Sequence, residues 1–350
     1  MRADVRGVRR RLAAVAVLVA LLTGLAAAWP TIDAWARSAA LFGDVIVQLP
    51  VRPLTWVTGD PTTEAMAWGA DGGHGLLTRP AGTSGERAPA LVLVLGADPA
   101  PPDDPRVARL VDGLARLGFV VLLPLSTELE AKRVMPVEVE RLVGGVRALE
   151  RDPAVRADRI AFVGLSAGGS LAIVAASDER IAGRVRFVLA IGPYFDAASL
   201  AASTVSGAHR APDGGLEPWS PERVTVEVVR ETLLTALTPG QREALEGADL
   251  DAAEAVLAGL SPELRAPLEA ISPRYAVEGL SAPLYLLHDR DDRFVPWTES
   301  EALAAAYERA VYHRLELFEH VDPDPGNLPV LARDGWRLMR LFARIFREGR

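Results

Sequence analysis

The chain has 350 residues, 49% hydrophobic and 24% charged, enough for one large core or a core carrying an insertion. A formal net charge of -8 and a pI near 5.3 leave no basic face for neutralising phosphates, which argues against nucleic-acid binding. The absence of cysteine excludes thiol catalysis, disulfide frameworks and Cys-based zinc sites, and no metal cluster, nucleotide loop or cofactor motif stands out.

The chain opens with Arg2, Arg6, Arg9, Arg10 and Arg11, followed by an uncharged apolar run from Leu12 to Trp29. A run of about 18 residues is just long enough to span a bilayer as a helix. It is long for the apolar part of a signal peptide, though Ala26-Ala27-Ala28 would serve as a small-residue cleavage site. The expectation is a retained anchor, with a cleaved and secreted form as the alternative. The arginines stay cytoplasmic and the remaining chain lies outside. Ile32 to Leu49 mixes Trp35, Leu41, Phe42, Val45 and Ile46 with Asp33, Arg37 and Asp44. It reads either as an amphipathic stalk at the membrane surface or as a helix packed on the main domain. Val51 to Gly85 is rich in Gly, Pro and Thr, with strand-like pieces at Ala65–Trp68 and Leu76–Thr78.

From Ala88 strands and helices alternate. LVLVL (91–95), FVVLLP (119–124), IAFVG (160–164), FVLAI (187–191), LYLLH (284–288) and HRLELF (313–318) read as strands. Between them, Asp104 caps a helix with Pro105 at its first position and Gly118 as its stop. A second helix covers 136–152. Thr298 and Glu301 have the spacing of a capping box, and 327–346 is amphipathic. Continuous apolar strands alternating with amphipathic helices predict a mostly parallel sheet covered on both faces. One block lacks a strand signal. Between Ala197 and Ser272, Ser220-Pro221-Glu222, Thr238-Pro239-Gly240-Gln241 and Ser261-Pro262-Glu263 look like helix starts. The expected organisation is an anchor or signal segment (1–30), a stalk with leading strands (31–87), a first core part (88–196), a helical lid insertion (197–272) and a second core part (273–350).

The chemistry gathers at Gly164-Leu165-Ser166-Ala167-Gly168-Gly169, between a strand and a helix. A serine hydroxyl is a weak nucleophile until it has a base, a group orienting that base, and donors for the developing oxyanion. A tight strand-to-helix turn exposes the oxygen, and the flanking glycines let backbones approach. Gly-x-Ser-x-Gly in that setting is the nucleophile elbow, whose partners follow in the order acid, then His. Downstream, LLHDRDDRFVP (286–296) ends a strand and supplies Asp289, Asp291 and Asp292, and ELFEHVDPD places His320 just past the last strand. Both lie beyond the carboxyl ends of strands, where open α/β sheets keep their sites. His313 enters that last strand from its other end, His74 and His209 occur in the wrong order or place, and His288 is expected to pack.

These residues resemble the α/β-hydrolases of the dienelactone hydrolase-like and serine esterase group, over roughly Ala88 to Arg344 with the insertion between. Asp158-Arg159-Ile160 with the elbow is similar to that group, and LLHDRDDRFVP is similar to its His-Gly-x-x-Asp-x-x-Val-Pro pattern. The resemblance implies an α/β-hydrolase fold, Ser166 as nucleophile, Asp292 as acid with Asp291 as fallback, and His320 as base. It also implies oxyanion donors at the backbone N–H groups of Ala97 and Ala167. The expectation of no cofactor and no metal rests on the missing cofactor motifs and metal clusters. The chain departs from the pattern at Asp289, where the group has Gly, and at Leu95-Gly96-Ala97-Asp98, where it often has His-Gly-Gly. The cysteine nucleophile of dienelactone hydrolases proper is absent, so their substrate is not carried over.

The expected reaction is hydrolysis of a small-molecule acyl ester through an acyl-enzyme. Tyr194 and Phe195 are candidate pocket walls. Leu233, Leu234, Leu237, Leu245, Val256, Leu257 and Leu260 of the insertion either line an acyl pocket or pack the lid. A non-catalytic envelope binding protein and a serine peptidase of the same fold are the rival readings.

Overall fold

Leu91, Leu93, Val121, Val163 and Leu189 are buried on one side of a central sheet, and Val92, Val94, Leu122, Phe162 and Val188 on the other. Such strands need apolar residues at every position, which is why they read as continuous runs. The computed structural model of the chain describes residues 27–82, 87–323 and 326–348. The sheet has eight strands: β1 (Thr62–Trp68), β2 (Gly73–Arg79), β3 (Ala88–Val94), β4 (Val120–Leu125), β5 (Val155–Leu165), β6 (Val185–Ile191), β7 (Leu284–Asp289) and β8 (Ala310–Leu315). Their order is β1-β2-β4-β3-β5-β6-β7-β8. β2 runs antiparallel to both neighbours, and the pairs from β4 to β8 are parallel.

Residues 27–41 form helix α1, continued by a π-helical turn at Phe42–Ile46. The other helices longer than four residues are α2 (Pro105–Arg116), α3 (Pro136–Arg151), α4 (Ala167–Ala176), α5 (Ala197–Ser206), α6 (Arg223–Thr232), α7 (Pro239–Leu245), α8 (Leu250–Ala258), α9 (Pro262–Ala270), α10 (Trp297–Ala306) and α11 (Leu328–Glu348). One face of the sheet is covered by α3, α4 and α10, through residues such as Val143, Leu171 and Leu303. The other is covered by α1, α2 and α11, through Leu41, Leu114 and Phe342. α2 starts and stops as its sequence predicts. Asp104 accepts from the Arg106 N–H at 2.8 Å, Pro105 is the first residue, and Gly118 turns the chain at φ +94.

Three features differ from the sequence reading, and a fourth is decided between its two alternatives: the stretch from Ile32 is the helix packed on the main domain, with 32–46 forming a wall of the main body. Ser38 donates to the carbonyl of Met339 at 2.7 Å, and Trp35 stacks on Trp336 with ring centroids 5.0 Å apart. Asp44, 1% exposed, takes ion pairs from Arg52 at 2.8 Å and Arg109 at 2.9 Å. The Thr298/Glu301 capping box does not form. Pro296 is the N-cap and Trp297 the first helical residue, so Thr298 falls inside the first turn. The last strand stops at Leu315 instead of Phe318, where the adjacent Leu317 and Phe318 both enter the core on the same face, which alternating strand side chains cannot do. The insertion contains a small hairpin, Ala208–Arg210 with Leu216–Pro218, as well as its helices. Its apolar residues are mostly its own core, with Leu233, Leu237, Leu245, Leu257 and Leu260 buried together and Leu234 and Val256 packed on them.

Among the described residues no helix is long and apolar enough to cross a membrane. The Arg cluster and the candidate span from Leu12 lie outside the described residues, apart from the positions 27–29 that begin α1.

Candidate active site

β5 delivers Leu165 to the carboxyl edge of the sheet, and α4 begins at Ala167. Ser166 bridges them at φ 52 and ψ -131, a left-handed conformation that non-glycine residues rarely adopt. The turn closes only because its neighbours are glycines. A Cβ on Gly168 would lie 2.3 Å from the carbonyl oxygen of Leu95, and one on Gly164 would lie 2.5 Å from Gly169 Cα. The Ser166 N–H donates to Ile191 O at 2.7 Å, fixing the corner to β6. Ala167, first residue of α4, has an N–H with no partner inside its own helix.

Asp292 follows β7 and is buried. Its Oδ1 accepts from the N–H groups of Phe294 at 2.7 Å and Val295 at 3.0 Å. Its Oδ2 receives His320 Nδ1 at 2.6 Å and lies 3.3 Å from His288 Nε2. Burial pushes this carboxyl up. The charge of His320, with hydrogen bonds from His288 and His320, overcomes that and holds it well below the usual carboxylate range. Asp291 is exposed and does not meet His320; its N–H donates to Asp289 Oδ1 at 2.9 Å.

His320 adopts φ +59 and is 7% exposed. Phe294 stacks on its ring at 4.4 Å between centroids and 14° between planes. On the other side Gly192, at φ +63, leaves the room it needs, since a Cβ there would lie 3.1 Å from His320 Cε1. With Nδ1–H given to Asp292, Nε2 is the ring's acceptor. Ser166, His320, Ala97, Ala167 and Tyr194 line one cavity of about 400 Å³. Phe195 is not on that wall; it is half-buried against the core on the α3, α4 and α10 face, and its N–H donates to Glu299 Oε2 at 2.8 Å. Asp98, beside Ala97, turns away. Its N–H donates to Leu129 O at 2.8 Å and its carboxylate lies 3.5 Å from Lys132 Nζ.

Several residues that shape the site are not evident from the sequence. Asp289, in place of a glycine, accepts at Oδ2 from the Phe318 N–H at 3.2 Å and so ties the end of β7 to the loop of His320. His288 is held by Ser300 Oγ at 2.7 Å and Val295 O at 3.0 Å, and from there reaches Asp292. Trp219 of the insertion donates its indole N–H to the Asp292 carbonyl at 2.9 Å. His288, Asp289 and Phe294 all lie inside the LLHDRDDRFVP motif, which marked the region but not these contacts, and Trp219 carried no signal. Among the described residues no group of three or more His, Asp and Glu is arranged to hold a metal.

No protein-family model matches the chain, and no curated protein matches it in sequence. Solved structures do. Acylaminoacyl peptidase from Pyrococcus horikoshii is 14% identical over 83% of this chain and 42% of its own, with a TM-score of 0.52. A puromycin-hydrolyzing peptidase from Mycobacterium tuberculosis is 19% identical over 81% of this chain and 39% of its own, with a TM-score of 0.50. The chain thus spans about two fifths of the length of these proteins. At these identities the likeness is one of fold. With the strand order and the strand–Ser166–helix corner, it gives the conclusion that this chain has the α/β-hydrolase fold.

Proposed function

We propose that the chain is a serine hydrolase that cleaves carboxylic esters through an acyl-enzyme. The observation that carries this reading is His320, clamped by the buried Asp292 at 2.6 Å and facing the same cavity as the strained Ser166. In the proposed reaction Ser166 Oγ attacks the ester carbonyl carbon while His320 Nε2 takes its proton. Asp292 holds the ring and stabilises the imidazolium. The N–H groups of Ala97 and Ala167 meet the oxyanion. The C–O bond to the alcohol breaks, and the leaving oxygen takes the proton from His320. Water then attacks the acyl-Ser166, again through His320, to release the acid. We infer as well that an N-terminal helix anchors this domain outside the cytoplasmic face, on the strength of the Arg cluster and the apolar run from Leu12 to Trp29.

A second reading, serine peptidase, is favoured by the names of the structural neighbours, which are peptidases. The same residues serve both. Hydrolysis of p-nitrophenyl butyrate and of the matching anilide by the full chain separates them. The ester reading expects kcat/KM to favour the ester beyond its intrinsic lability and to collapse in Ser166→Ala and His320→Ala. Preference for the amide of an acylated amino acid would establish the peptidase instead.

A further inference from the structure

The cavity at Ser166 extends well beyond the reacting atoms. Along β3 and its exit it is lined from Leu95 back to Leu91, along β6 from Ile191 back to Phe187, and it reaches Phe119 and Phe346 at the opposite edge of the sheet. Four residues of strand at about 3.3 Å each make this about 13 Å long. Protein cores are close-packed, with few spaces larger than a water molecule. A continuous apolar channel of about 400 Å³ inside the core is therefore a built feature. The deep wall is hydrocarbon and offers water no partners. The polar lining groups are accounted for elsewhere. Ser166, His320 and Asp98 lie beyond the strand ends, Gln48 and Arg106 are exposed, Thr225 donates its hydroxyl to the carbonyl of Phe294, and Arg109 directs its guanidinium to Asp44 and Leu49 O.

The outer wall has three sources. Leu41 and Val45 come from α1 and its π turn, Leu110 from α2 and Phe346 from α11. The π turn is pinned by the Asp44–Arg52 and Asp44–Arg109 pairs. A chain begun at residue 50 would lose one wall of the channel, so α1 belongs to the site and not to a linker.

We propose that this channel takes the acyl chain of a medium-chain ester, with the carbonyl at Ser166 and the hydrocarbon threaded between the sheet and the wall of α1, α2 and α11. This rests on the serine-hydrolase reading and names its substrate class. At about 1.25 Å per methylene, from the C–C bond length and tetrahedral angle, about 13 Å accommodates a chain of about ten carbons.

The test has two arms, both on the full chain in detergent. In the first, kcat/KM is measured on p-nitrophenyl esters from acetate to palmitate. The expected result is a rise of about threefold per methylene up to about ten carbons, then a fall. Val45→Phe narrows the channel and lowers the decanoate-to-butyrate ratio at least tenfold; if it fails to fold, Leu110→Phe is measured instead, from the α2 part of the same wall. In the second arm, decanoate binding to Ser166→Ala is followed by calorimetry and is expected to be lost on adding Val45→Phe. Hydrolysis that depends on Ser166 but is flat or falling beyond butyrate overturns the channel while leaving the hydrolase reading intact. Decanoate bound with no ester cleaved sinks the hydrolase reading and retains the hydrocarbon site. Neither binding nor cleavage overturns both.

Discussion

The two faces of the sheet are built differently. On the face covered by α3, α4 and α10, α3 and α4 follow one another in the chain, and the cavity lined by Leu142 and Leu171 is only about 140 Å³. Every residue of α4 is buried, and Leu171, Ala172 and Ile173 have no exposed surface. The face covered by α1, α2 and α11 draws on residues near 40, 110 and 345 and encloses the channel. The contrast separates two tasks. The closed face holds α4, and through it Ser166, in a strained conformation that nothing local favours. The open face supplies space. Both tasks meet at the carboxyl edge, where β5, β7 and β8 release Ser166, Asp292 and the loop of His320.

The largest expected effect is at that edge. Ser166→Ala lowers ester kcat by about 10³-fold or more, and Asp292→Asn by about 10³–10⁴-fold with the fold intact. Steady-state kinetics beside a circular dichroism melt checks both. An Asp292→Asn enzyme within tenfold of wild type would mean that the 2.6 Å contact to His320 does not orient a base.

Stability then sharpens the contrast between the faces. Asp44→Ala leaves Arg52 and Arg109 without their buried partner and detaches the π turn from α2. The arginines left behind are partly exposed and Arg52 keeps Asp112, so the expected loss is about 1.5–3 kcal/mol in denaturant unfolding. Leu122→Ala, on the closed face, costs about 4 kcal/mol. Leu91→Ala, on the channel face, costs about 2 kcal/mol, because a side chain bordering a channel already lacks partner atoms on one side. Equal costs would show the two faces to be equally packed.

The smallest effect is a pH dependence. Burial pushes the Asp289 carboxyl up to about 6, with the backbone N–H groups of Asp291 and Phe318 opposing and the charges of Asp291 and Asp292 adding to the rise. A carboxyl raised in the fold contributes stability that is present below its unfolded value of 3.8 and is lost as pH rises through about 6. Asp292 works in the opposite sense, contributing above that value and losing it in acid. Asp289→Asn is therefore expected to flatten the decline in Tm between pH 4 and 6, a change of about 1–3 kcal/mol. An unchanged slope would assign that decline to other groups.

How much was legible in the sequence follows the same division. The parallel strands were, because burial on both faces demands runs such as LVLVL and FVLAI. The corner at Ser166 was, because only glycine at 164 and 168 permits the contact between β5, α4 and Leu95. α1 was not decidable, since one amphipathic pattern suits a bilayer surface and a protein surface equally. The Thr298 capping box failed because Pro296 starts the helix earlier than the pattern implied. HRLELF overran its strand because Leu317 and Phe318 both turn inward. Asp289 and Trp219 act through contacts across 29 and 73 residues, which no local pattern encodes.

The most direct test of the central claim is labelling of the full chain in detergent with a fluorophosphonate, read by peptide mass spectrometry. The account predicts one adduct, on Ser166, abolished by Ser166→Ala and by prior denaturation and slowed at least a hundredfold in His320→Ala. A folded wild-type protein that stays unmodified, or that is modified equally well without His320, would contradict it.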